Sequence, residues 1–176
     1  MEELGPLLRI HVASALLAIA TGAVVFLLPK GGDAHRRFAL AYVASMVTTT
    51  GVVAFVPATV LPFGRSGFGF FHLFIVVGLV SSLLGLFGLV RWRRTREPRW
   101  LRMHQFRFTF SYAGLLMAGA SQLLTNPRFG VVGEMPPAAF WTVFAATNVV
   151  ILGVAMWAVH RFLSRGDPRR RYALRP

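Results

Sequence analysis

Between Leu73 and Val90 lie about eighteen consecutive apolar or small residues, and the run ends against a block of arginines (Arg91, Arg93, Arg94, Arg96, Arg99 and Arg102). A helix rising about 1.5 Å per residue crosses the roughly 30 Å hydrocarbon core of a bilayer in that length. Lysine and arginine beside membrane spans are held on the cytoplasmic face, so the block also says where the span ends. A histidine stands at each end of this stretch, His72 before the apolar run and His104 after the arginines. An earlier pair, His11 and His35, brackets another apolar run in the same order.

Composition supports the same class. Of 176 residues, 55% are hydrophobic and only 14% charged, which fits an integral membrane protein with one domain. The absence of cysteine excludes disulfides, thiolate metal sites, cysteine-ligated iron–sulfur clusters and covalent c-type haem attachment. The formal charge of +13 could suggest nucleic acid. The charges flank apolar runs, however, as topology signals and contacts to anionic membrane lipids do, so no nucleic-acid partner is expected. The opening Met-Glu-Glu-Leu-Gly-Pro lacks the basic region of a signal peptide, and the first apolar run is expected to be retained.

Read in order, the sequence predicts an all-α integral membrane five-helix bundle with spans over 7–28, 35–56, 68–90, 103–125 and 138–163. Pro6 suits a first helical turn, and Pro29 with Gly31 and Gly32 stops the first span. Its small residues Ser14, Ala15, Ala18 and Gly22 share a face with His11 and allow close approach by another helix or a flat ligand. Asp33 is a candidate N-cap for the second span, which Pro57 and Pro62 bend or end. Thr48, Thr49 and Thr50 can return hydroxyl hydrogen bonds to their own helix. A tight turn is expected over 63–67, with Gly64 and Gly67. Gly78, Ser81, Ser82, Gly85 and Gly88 give the third span a small-residue face. Trp92 and Trp100 are expected as interfacial anchors, and so are Trp141 and Trp157 at the two ends of span five. Residues 164–176 form a basic tail expected to lie unfolded against lipid.

Assigning alternate loops to alternate faces places sixteen basic residues on one side and three (Arg9, Arg65, Arg128) on the other. The expected topology is therefore multi-pass in a bacterial inner membrane, N-terminus outside and C-terminus cytoplasmic. His11 and His72 then lie roughly 6 Å below the outer boundary, while His35 and His104 open the returning spans near the inner one. Spans one and two repeat as spans three and four, giving a four-helix core of two hairpins with a fifth helix added. Helices related in this way can face one another, and two facing imidazoles are an axial pair for a haem iron. The expected cofactor is b-type haem, one or two, held as metal ligands by His11 with His72 and by His35 with His104. Arg36 and Arg107 are candidates to bind the propionates. Two such centres would carry electrons across the membrane, with a quinone or another redox protein as partner.

Other readings stand beside this one. A histidine near a span end often only anchors the helix, and His160, beside Trp157 and Arg161, is read that way. The glycine- and alanine-rich faces would equally suit a cofactor-free accessory or scaffold subunit of a larger membrane complex. A membrane enzyme acting on lipid or quinone is a third class, though no nucleophile–base pair is visible. All six acidic residues lie outside the apolar runs, which disfavours ion-coupled transport. No phosphate loop, nucleophile elbow or HExxH pattern occurs.

Two resemblances follow from these residues. The segment His35-Arg36-Arg37-Phe38-Ala39-Leu40-Ala41-Tyr42 resembles the HR-x-x-G-x-x-Y signature of an uncharacterised bacterial family of multi-span membrane proteins, with Ala39 at the glycine position. The placement of histidines on alternate helices resembles the ascorbate-reducible transmembrane cytochrome b superfamily. That resemblance implies two b haems in a four-helix core, the outer one on His11 and His72 and the inner one on His35 and His104.

Overall fold

The structure is a computed structural model, and it describes residues 5–58, 63–125 and 136–163. Pro62, most of the loop after span four and the basic tail 164–176 lie outside the described residues. Among the described residues the chain is all-helical. The helices are α1 (Pro6–Leu27), α2 (Asp33–Val53), α3 (Phe70–Thr95), α4 (Pro98–Thr125) and α5 (Pro137–Ala158), which runs into a π-helical turn, Val159–Leu163.

Helix ends follow local chemistry more closely than they follow hydropathy. Proline occupies the first turn of α1 and of α5, where its missing N–H costs nothing. Asp33 is not the N-cap of α2. Gly32 holds that position, and Asp33 is the first helical residue, where its carboxylate complements the helix dipole and lies 3.7 Å from Arg36. α2 stops at Val53, three residues short of the expected end, because Pro57 biases the residues before it away from helical geometry. Gly64 and Gly67 both take positive φ, 58° and 76°, in the turn before α3.

The largest departure lies between α3 and α4. α3 continues to Thr95 and α4 begins at Pro98, so the arginine block is helical rather than a loop. Arginine is a good helix former, and the reversal is made by Arg96 in the left-handed conformation (φ 57°) and Glu97, after which Pro98 opens α4. Trp92 is consequently not an interfacial anchor. The tight reversal folds it against Leu101, and it is only 5% exposed.

Among the described residues, three helical segments are long and apolar enough to cross a membrane: Pro6–Leu27, His72–Thr95 and Ala138–Arg161. α2 and α4 have spanning length, but charged first turns (Asp33, Arg36, Arg37; Arg99, Arg102) and the further Arg107 lower their apolarity.

α1 packs along α2, α3 along α4, and α5 along α4. Small residues make these contacts close. Ser14, Ala18 and Gly22 are buried on α1, as are Gly78, Ser81, Ser82, Gly85 and Gly88 on α3. At Gly88 the partner is backbone: a Cβ there would lie 2.9 Å from the Trp100 carbonyl oxygen and 3.1 Å from the His104 amide nitrogen.

A core of Ala18, Tyr42, Met46 and Leu115 joins the two hairpins, and a chain of hydroxyls runs through it. Tyr42 and Ser111 are 2.8 Å apart, Ser111 and Ser82 are 2.6 Å apart, and Ser82 donates to the Gly78 carbonyl at 3.0 Å. Because Ser82 spends its proton on Gly78, the consistent order is Tyr42 donating to Ser111 and Ser111 donating to Ser82. Thr49 differs from its two neighbours. Thr48 and Thr50 bond back to their own helix, whereas Thr49 donates to Ser14 across the α1–α2 contact at 2.7 Å. Tyr42→Phe removes one buried donor with little change of shape. It should lower stability by about 1 kcal/mol, read as a reduced thermal midpoint in detergent micelles.

Candidate functional site

His35 and His104 lie at the same end of the bundle. There α1 and α3 finish, α2 and α4 begin, and α5 closes the side, leaving a cavity of about 1780 Å³ lined by residues of all five helices. This exceeds the roughly 300–1,000 Å³ usual for a small-molecule site. His35 and His104 both line it, and they are close enough to feel one another's charge. Tyr42, Tyr112, Phe108 and Leu89 contribute to an apolar wall, while Lys30, Arg36, Arg93 and Arg96 supply cations.

Each histidine is set by its helix neighbour. His104 Nδ1–H donates to the Gly85 carbonyl at 3.0 Å, a bond possible because the glycine at 85 lets α4 approach α3. That fixes the tautomer and leaves Nε2 with a free lone pair. The His35 ring lies against the Val25 carbonyl of α1. Its Nδ1 is buried without any hydrogen-bond partner. A buried imidazole nitrogen without a partner is costly, and the ring that carries it is part of the cavity lining.

Lys30, in the loop between α1 and α2, holds the cavity's edge. Its ammonium donates to the carbonyls of Val25 (2.6 Å) and Phe26 (3.0 Å) at the end of α1 and sits 5.7 Å from the centre of the Phe26 ring. Burial pushes its pKa below the ordinary lysine value. Lys30→Met should cost up to about 1 kcal/mol, discounted because the group is half exposed, and should be seen as earlier fraying of α1 by amide hydrogen exchange.

His11 and His72 are arranged otherwise. His11 and His72 are near enough to interact electrostatically. His11 Nδ1–H donates to the Thr49 carbonyl at 3.2 Å. His72 Nε2–H is shared between the carbonyls of Val53 and Val56, each at 3.3 Å, and its Nδ1 accepts the Gly69 amide at 3.1 Å. Both nitrogens of His72 are therefore engaged by backbone. One of these carbonyls closes α2 and also accepts the Val56 amide; the other lies beyond the helix end.

Arg36 lines the inner cavity; Arg107 does not, and instead packs its stem near Gly85. His160 is exposed on the terminal π-turn. Among the described residues no group of three or more His, Asp or Glu side chains could hold a metal ion. Sequence reasoning missed Lys30, Arg93 and Arg96 as cavity residues. The inner-face tally counted all three but could not place them beside His35. No known protein family, curated protein or solved structure matches the chain.

Proposed function

We propose that this is a five-span membrane protein, N-terminus outside and C-terminus cytoplasmic, that binds one b-type haem between His35 and His104 and serves in electron transfer. The observation that carries the reading is the shared cavity. Two imidazoles from α2 and α4 line it, one held through Nδ1 by the Gly85 carbonyl so that Nε2 keeps its lone pair, and the other with a buried, unpartnered Nδ1. The walls suit a flat apolar ring, and Arg36, Arg93, Arg96 and Lys30 suit its propionates. Bound haem would supply reversible one-electron chemistry. The chain's own part is to orient the two rings, exclude water with aromatic side chains and balance the acidic edge.

The outer pair does not fit a second haem, because His72 has no nitrogen to give. The expectation of two centres is therefore narrowed to one, near the cytoplasmic side. The histidine hydrogen bonds also favour a second reading, a cofactor-free subunit of a membrane complex in which imidazoles act as struts between helices: His11, His72 and His104 each donate to a backbone carbonyl. The visible spectrum of protein expressed with ample haem separates the two. A Soret band at close to one haem per chain, shifting on reduction, supports the haem reading. A colourless protein that copurifies with stoichiometric partners overturns it.

A further inference from the structure

The arginine-rich reversal between α3 and α4 holds a second polar cluster that faces away from the cavity. The Trp100 indole carries two guanidiniums, Arg91 at 5.1 Å and Arg99 at 5.0 Å from its ring centre. The edge of Phe87 meets the same ring at 5.7 Å. Arg99 pairs with Glu97 through Nε at 2.5 Å, and its side chain stays largely exposed. Among the described residues no carboxylate pairs with Arg91. Its Nε and the neighbouring Trp100 Nε1 are both buried and donate to nothing. Two adjacent shielded donors without an acceptor are costly, more so beside a bilayer, and they mark a place for a negatively charged oxygen.

What lies next to them identifies the carrier of that oxygen. Val76, Val80, Leu83 and Phe87 recur at helical spacing along α3, all are exposed, and the next position on the same face is Arg91. An apolar stripe of that length ending at an unanswered cation beside an indole matches an acyl chain leading to a phosphate. We infer that this face of α3 is a binding site for an anionic phospholipid, with the phosphodiester seated between Arg91, Arg99 and Trp100 Nε1 and one acyl chain along the stripe. The site shares no residue with the inner cavity, so it stands whether or not haem binds there.

The test uses delipidated full-length protein and native mass spectrometry with phosphatidylglycerol or phosphatidylcholine. One phosphatidylglycerol should be retained in preference to phosphatidylcholine. The double variant R91Q/R99Q should weaken retention about tenfold, one lost charge-assisted contact being worth on the order of that factor. The control R94Q/R102Q removes the same charge from exposed positions of the same reversal and should retain the lipid. W100F tests the indole donor while keeping the ring and should weaken retention less than the double arginine variant. Equal loss in both double variants would mean diffuse attraction to the basic face and would overturn the site. So would displacement of the lipid by millimolar glycerophosphate, which would mean a free-anion site instead. Retention unchanged in R91Q/R99Q would overturn it as well. Matching circular dichroism of all variants checks that none has lost its fold.

Discussion

Haem-loaded protein carrying His104→Ala or His35→Ala should lose its Soret band to background, while His11→Ala and His72→Ala keep it. The asymmetry comes from how the four rings are bonded. His104 turns one nitrogen to Gly85 and keeps the other for a ligand, and His35 has a buried nitrogen without a partner. His72 has both nitrogens committed to α2 and to Gly69. His72→Ala should instead be a stability variant. It strips the shared donor from the Val53 and Val56 carbonyls and the acceptor from the Gly69 amide, a cost of about 1–3 kcal/mol in thermal denaturation. A band that survives His104→Ala, or that vanishes equally with His11→Ala, would remove the inner cavity from consideration as the haem site.

Gly88→Ala should destabilise the protein by about 1–3 kcal/mol, a large effect for one methyl group. The added carbon would press on the Trp100 carbonyl and the His104 amide, and backbone cannot rotate aside as a side chain does. Relief requires α3 and α4 to separate, which would also shift His104. The haem-loaded form should therefore show a weaker or displaced Soret band as well as a lower thermal midpoint. Gly51→Ala is the control. A Cβ there meets nothing within 4 Å, so the helix-propensity gain of up to about 1 kcal/mol should appear undiminished. Equal responses at both glycines would show that close backbone packing at Gly88 does not matter.

What could be read in advance was whatever depends on a single segment. Three long apolar helices, the proline starts, the Gly64–Gly67 turn and the small-residue faces all follow from local composition. What could not be read depends on neighbours. Thr49 resembles Thr48 and Thr50 in sequence, and only the position of Ser14 on α1 gives it a different partner. Trp92 resembles an interfacial anchor until the α3–α4 reversal folds it onto Leu101. The arginine block fell between two spans bounded by hydropathy, which marks where a helix leaves lipid and not where it stops; arginine itself favours a helix. Depth along the spans suggested that His35 and His104 share a level. It could not show that His72 would be engaged by carbonyls at and just beyond the end of α2.

The polar character of α2 and α4 bears on how such a chain is made. Neither is as apolar as the three candidate spans, and each lies along the preceding, greasier helix, with glycine, serine and threonine among the contacts. On the five-span reading, insertion should then proceed two segments at a time, with α1 waiting at the translocon for α2 and α3 for α4. A ribosome stalled after α1 but before α2 would expose a lone, stable anchor. One stalled midway through α2 would leave a segment still open to the aqueous side, detectable by an engineered glycosylation or cysteine-labelling site.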